Sequence, residues 1–171
     1  MADLKVCATF FYMPEKERIE LEAIHHFLRI YNKKRGRAYK IMEKRERPDF
    51  AIREGDAGSA IGVEISHIFH DKKEAMMVLG RDLSNFHGII TTHDHAKVIN
   101  YVLKKKSEKV KTYPFTGPVI LVLRDFSSLF DASTIMKHTK GIKVPPSGYK
   151  EVWYLTRSAP TKKWDELIRL K

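Results

Sequence analysis

Two acidic residues on neighbouring predicted strands are the first groups in this chain whose types and spacing could do chemistry. The stretch RPDFAIREGDAGSAIGVEIS, residues 47–66, reads as strands over 48–54 and 60–66 joined by a Gly-Asp-Ala-Gly turn. With the tip between Asp56 and Ala57, Ile52 faces Ile61, Ala51 faces Gly62, Phe50 faces Val63 and Asp49 faces Glu64. Strand alternation then puts Phe50, Ile52, Ile61 and Val63 on one face as a core layer. Asp49, Ala51, Gly62, Glu64 and Ser66 take the other face. Two opposed carboxylates repel each other. A divalent cation would compensate, because Mg²⁺ and Mn²⁺ prefer oxygen ligands and take one or two carboxylates together with waters and phosphate. A solvated outer face satisfies the same pattern, with about 1 kcal/mol of repulsion relieved by Arg or Lys neighbours.

The elements that must carry these groups follow from periodicity. Pro14, Glu15 and Glu17 suit a helix start, and the helix should run from about Glu15 to Tyr31 and stop before Gly36. Its apolar stripe is Ile19, Ala23, Ile24, Phe27, Leu28, Ile30 and Tyr31, with Glu20 near the centre and Glu22 on the wet side. A carboxylate aimed inward needs a partner: a shared metal, a basic side chain, or the positive end of the helix. A second long helix is predicted from about Asp94 to Tyr113, with Val98, Ile99, Val102, Leu103, Val110 and Tyr113 as its stripe. Lys106 falls near the middle of that stripe and Lys109 at one edge. Either could snorkel to solvent or reach a carboxylate and phosphate cluster. Lys104 and Lys105 read as surface charges.

The remaining elements are a short strand at 4–12, a strand or frayed helix end at 38–43, and a helix over 71–86. Strands follow at 117–124 and 152–156, and the tail TKKWDELIRLK reads as helical. The order predicts one mixed α/β domain spanning residues 1–171. A chain of 171 residues with 43% hydrophobic and 11% aromatic content can bury a core, which argues against disorder. No apolar run approaches the roughly 18 residues of a membrane span. No signal peptide is evident, and Cys7 is the only cysteine, so a disulfide framework and a Cys-rich zinc site are excluded within one chain. The expected compartment is the cytoplasm. Net charge is +11, a field that attracts polyanions, nucleic acid first among them.

These residues resemble the signature of the PD-(D/E)XK nuclease superfamily: an upstream helical Glu, a Pro-Asp opening a strand, then an acidic residue, an apolar residue and a Lys on the next strand. Glu20, with Glu17 as runner-up, takes the first place, Pro48-Asp49 the second and Glu64-Ile65-Ser66 the third. The resemblance covers roughly residues 15–124 and implies a restriction-endonuclease-like core, a central mixed sheet flanked by helices. It also implies that Glu20, Asp49, Glu64 and the Ile65 carbonyl hold Mg²⁺ or Mn²⁺. The implied activity is hydrolysis of phosphodiester bonds, with DNA ahead of RNA as partner. Ser66 departs from the pattern by standing where lysine is expected. Either Lys106 or Lys109 projects into that space and offsets the developing charge, or the site binds without cutting. Ser66 could itself bond a phosphate oxygen or a metal-bound water. Lys109-x-x-x-Tyr113 is similar to the Gln-x-x-x-Tyr element of some branches.

Two alternatives accompany the nuclease expectation. One is a non-catalytic nucleic-acid-binding domain on the same fold, working alone, as a homodimer or inside a larger complex. The other is a His/Asp metallohydrolase built from His93, Asp94 and His95 with His67, His70 and His87. Against the latter, THDH precedes a predicted helix, so Asp94 or Thr92 reads equally as a cap. Cys7, Met76 and Met77 read as core, Trp153 and Tyr154 as core or rim, and Pro145-Pro146-Ser147-Gly148 as a turn.

Overall fold

In the computed structural model the described residues are 14–69, 91–126, 130–158, 161 and 163–171. The expected strand at 4–12, the helix at 71–86, Cys7, Met76, Met77, His70 and His87 lie outside them. Helix α1 spans Glu15–Arg35, with Glu15 and Glu17 in the first turn and Lys33, Lys34 and Arg35 in the last, as the helix dipole favours. It ends at Gly36, whose N–H bonds the Asn32 carbonyl. The Asn32 side chain then clasps the Tyr39 backbone on both its N–H and its C=O, which starts β1 (Tyr39–Lys44) beside the helix end. Residues 38–43 therefore belong to a strand and not to a frayed helix.

Strands β2 (Phe50–Glu54) and β3 (Ile61–Ile68) form the expected hairpin in the expected register: Phe50 with Val63, Ala51 with Gly62, Ile52 with Ile61. Gly55 supplies the left-handed backbone that its turn requires, at φ 62°. Gly62 is needed for a different reason. A Cβ there would lie 2.6 Å from the Pro48 ring, so only glycine lets the segment ahead of Asp49 close over β3. Helix α2 (Thr92–Lys109) runs into a 3₁₀ turn at Val110–Thr112. It is followed by β4 (Val119–Asp125), helix α3 (Ala132–His138), β5 (Tyr149–Thr156) and β6 (Glu166–Arg169).

The tail predicted as a helix is in fact β6, paired antiparallel with β5 through Leu155–Leu167 and Tyr154–Ile168. An open sheet edge outweighed the tail's helix-forming Glu and Leu, since pairing satisfies backbone groups that a free edge would leave unbonded.

The six strands lie in sequence order in one mixed sheet. The β1–β2, β2–β3 and β5–β6 pairs are antiparallel, while β3–β4 and β4–β5 are parallel. Helices cover both faces. Phe27, Ala23 and Ile24 of α1 pack on Phe50, Ile52, Val63, Ile65 and Val122. Ile99 and Leu103 of α2 and Ile135 of α3 pack on Ile68, Leu121, Leu123 and Tyr154. All seven residues of β4 are buried, as expected for a central strand covered on both sides. Among the described residues no helix is long and apolar enough to cross a membrane.

Candidate active site

The sheet is uneven at one place, and the acidic residues meet there. Ladder pairing between β2 and β3 stops at Phe50–Val63, while β3 continues to Ile68. Gly62 donates its N–H to Pro118 on the β4 side, so by alternation Val63 and Ile65 turn their N–H and C=O toward β2. At Ile65 no β2 partner remains, and the Asp49 carboxylate takes its place by accepting the Ile65 N–H at 2.7 Å. Asp49 thus stands one residue outside the strand, replacing a ladder bond, and is not a cross-strand partner of Glu64 as the hairpin model anticipates.

Glu64 projects on the α2 side and is buried, 5% exposed. Its Oε1 accepts from Lys106 Nζ at 2.5 Å, and its Oε2 is buried without a hydrogen bond. The lysine at the centre of the α2 stripe therefore reaches a carboxylate and does not snorkel outward. Tyr113 and Tyr149 face the same carboxylate, their hydroxyls 3.4 Å apart. Burial first, then the tyrosine pairing and the Glu64 charge hold the Tyr113 phenol well above the usual range.

Asp49 carries the mark of this crowding. Burial, then the Glu64 charge, push its carboxyl up to about 7. The Ile65 N–H opposes the shift, Glu20 adds to it, and Lys106 relieves it. Glu20 is buried at the middle of the α1 stripe, as expected, with Lys16 at 3.6 Å and Lys44 at 3.8 Å from its two oxygens. Glu17 takes a separate ion pair with Lys44 at 2.9 Å.

Glu20, Asp49, Glu64, Ile65, Ser66, Lys106 and Lys109 all line one cleft of about 360 Å³. Ser66 is half-buried within it and Lys109 is exposed. Glu46, Arg47 and Thr112 are shared between this cleft and a wider groove of about 660 Å³ that includes Arg45 and Pro114. The carboxylates are therefore approached along a path edged by arginines.

Several neighbours escaped the sequence reading. Arg124, on β4, is 2% exposed. It donates to the Ile19 carbonyl at 3.0 Å and to Glu22 at 3.3 Å, and lies against the rings of Trp164 at 4.3 Å and Phe126 at 4.4 Å. Glu22, expected on the wet face, keeps its side chain 42% exposed there and is also the counterion of this buried arginine. The pair brackets Glu20 and ties α1 to the sheet. His67 lines the cleft with both ring nitrogens buried and unbonded. Burial, then Arg124, Lys106 and Lys16, push its pKa down to about 3.

Of the rival His/Asp set, His67, His93, Asp94 and His95 are among the described residues, and no three of these gather around one point. Thr91, and not Asp94 or Thr92, caps α2: its hydroxyl oxygen accepts the Asp94 N–H at 3.2 Å. Asp94 accepts from the Thr91 hydroxyl at 2.7 Å and pairs with Lys97 at 3.1 Å. His93 is exposed. His95 is fully buried, 2.6 Å from Asp125, a carboxylate that also accepts from Tyr154. That trio joins α2 to β4 and β5. Trp153 and Tyr154 are core residues.

Among the described residues no three His, Cys, Asp or Glu side chains gather closely enough to enclose an ion. The available donors are oxygens: the second oxygen of Asp49, the unbonded Oε2 of Glu64 and the Ile65 carbonyl, with Glu20 farther out. This set suits a hard cation that keeps waters and binds phosphate, and does not suit a closed zinc site. The chain matches no protein-family model, no curated protein and no solved structure.

Proposed function

We propose that this chain is a Mg²⁺- or Mn²⁺-dependent nuclease of the PD-(D/E)XK type, with a restriction-endonuclease-like core, acting on the phosphodiester backbone of nucleic acid. One observation carries the reading: a buried carboxylate, Glu64, and a half-buried one, Asp49, line one cleft at the end of β2 with the Lys106 ammonium placed on Glu64. Holding such a group without a cation is costly, as the raised Asp49 carboxyl attests. Sites that perform chemistry are where such perturbation concentrates.

A bound Mg²⁺ or Mn²⁺ supplies Lewis acidity there, lowering the pKa of a water and polarising a phosphate oxygen. Asp49, Glu64 and the Ile65 carbonyl would hold the cation, with Glu20 lining the same cleft. Lys106 takes the part of the lysine that Ser66 replaces. Its ammonium, arriving from α2 and not from β3, faces the charge that develops as the phosphodiester is attacked. Ser66 offers a hydroxyl to a phosphate oxygen. Lys109, at the rim, contacts the backbone, as do Arg45 and Arg47 along the groove, with the +11 charge adding sequence-independent attraction.

The test is incubation of the purified chain with plasmid, single-stranded DNA and RNA, each with Mn²⁺, Mg²⁺ or EDTA, beside Glu64→Ala. Metal-dependent cleavage that vanishes in the variant is the expected result. A second reading, a binding domain without catalysis, draws on the commitment of Lys106 to Glu64 at 2.5 Å. Salt-sensitive binding that survives EDTA, with no cleavage of any substrate, would select it over the nuclease.

A further inference from the structure

Where β4 and β5 begin, a second cavity of about 250 Å³ opens between α1 and the sheet. It is lined by Tyr31, Arg35, Arg37, Tyr39, Lys150 and Glu151 and shares no lining residue with the carboxylate cleft. Three cationic side chains from three separate segments meet there: Arg35 at the end of α1, Arg37 in the connection to β1, and Lys150 on β5.

Arg35 is the best-held of them. Its Nη2 donates to Glu151 Oε1 at 2.9 Å, and its guanidinium lies 5.6 Å from both the Tyr31 and the Trp153 ring centroids. Glu151 is itself pinned, because its Oε2 accepts from Trp153 Nε1 at 2.7 Å and from the Tyr31 hydroxyl at 3.3 Å. A guanidinium carries five N–H donors in a planar fork, so one bond to Glu151 orients the fork and leaves most donors for a ligand. Arg37, with its side chain 58% exposed, is tethered more loosely, by Glu54 at 3.2 Å. The two acid–base pairs cancel, and Lys150 leaves the cavity net positive.

We infer that this cavity is a phosphate-binding site, taking the terminal phosphate of a small phosphorylated ligand or of a polynucleotide end. Two pre-oriented guanidinium forks and one ammonium offer more donors than the two oxygens of a carboxylate can fill, whereas a phosphate monoester presents three acceptor oxygens and about two negative charges. The volume admits a phosphate with its ester group and little more.

The experiment is a titration of the full chain with inorganic phosphate, followed by backbone and side-chain NMR shifts, with EDTA present. Saturable shifts at Arg35, Arg37 and Lys150 are expected. Lys150→Ala and Arg37→Ala, both exposed positions that should leave folding intact, should each weaken binding about tenfold, the loss of one charge-assisted contact. Lys104→Ala, an exposed lysine outside the cavity, should bind as the wild type does. Binding that is absent, or unchanged in both cavity variants, would overturn the site. A trinucleotide with a 5′-phosphate, compared with its 5′-hydroxyl form, separates the two sources. Preference for the phosphorylated end assigns a polynucleotide terminus, and equal binding of inorganic phosphate assigns a small ligand. Glu64→Ala should retain phosphate binding, so failure of the nuclease reading leaves this result untouched.

Discussion

Glu151 and the Asp49–Glu64 pair are both carboxylates taken out of water on one sheet, yet their surroundings are opposite. Glu151 accepts from Arg35, Tyr31 and Trp153, and both of its oxygens are used. Asp49 and Glu64 line one cleft, with the Ile65 N–H on Asp49 and the Lys106 ammonium on Glu64, and one Glu64 oxygen is left buried with no hydrogen bond. A buried charge is tolerated when its lone pairs are filled, and it is expensive when they are not. The first arrangement is what stability alone would select. The second is expensive without a positive charge from outside the chain, which is why the nuclease reading rests there and not on Glu151.

The largest effect should come from breaking the satisfied carboxylate. Glu151→Ala would leave Arg35, the Tyr31 hydroxyl and the Trp153 indole N–H without their acceptor. Arg35 is exposed and keeps its solvation, so the cost is that of two buried donors left unpaired, about 1 to 3 kcal/mol each. Urea unfolding should show that loss, and the variant should also lose the phosphate binding inferred for the neighbouring cavity. A change below about 1 kcal/mol would mean that Glu151 is not the anchor its bonds suggest.

The opposite sign is expected at Asp49. Its carboxyl sits at about 7 in the fold against an ordinary 3.8, so between those values the folded chain holds a proton that the unfolded chain releases. Stability from this group is therefore present below about pH 4 and is lost as pH rises through about 7. Asp49→Asn removes that slope. At about pH 8 it should be more stable than the wild type by on the order of 2 kcal/mol, with little difference at about pH 4. Parallel denaturation profiles across that range would show that the acidic pair is not strained. Under the proposed function, Mn²⁺ should produce the same rescue in the wild type and release a proton on binding near about pH 6.5, measurable by calorimetry in two buffers.

Much of this contrast could be anticipated on one side and not on the other. The hairpin register followed from strict alternation around Gly-Asp-Ala-Gly, and it put Phe50, Ile52 and Val63 where they are. Glu20 and Lys106 were visible because each interrupts an apolar helical stripe, and a charge inside such a stripe must meet something. Glu151 gave no such signal. Its partners Tyr31 and Arg35 lie 120 and 116 residues away, and in the sequence it is one acid in a strand with ordinary alternation. Arg124 was hidden for the same reason: it ends an apolar strand like any edge residue, and only the return of Phe126, Trp164 and α1 encloses it. Helical period locates the exposed face on which Glu22 lies but not the Arg124 guanidinium that reaches it there. The tail failed through local preference, since Leu167 and Ile168 suit a helix as well as a strand until β5 offers an open edge.

The smallest effect discriminates between the two α2 lysines that line the cleft, Lys106 and Lys109. Lys106 is half-buried on Glu64, whereas Lys109 is exposed at the rim of the cleft. Lys106→Met removes the ammonium that donates to the Glu64 carboxylate, along with the charge that lowers the Asp49 carboxyl. The metal-free variant should lose about 1 to 2 kcal/mol at about pH 8 and less at about pH 5, where Asp49 is protonated. Lys109→Met should change stability by less than about 0.5 kcal/mol at either pH, as exposed substitutions do. A second change sharpens the assignment. Adding Glu64→Gln to Lys106→Met should return most of the lost stability, because the amide no longer needs a cation, while the same addition to Lys109→Met should return nothing. If the two lysines behave alike, the ammonium on Glu64 is one of many surface charges and the contrast with Glu151 loses its basis. If they differ as expected, Lys106 and not Lys109 is the cation held on the acidic pair, the position from which the proposed nuclease would use it.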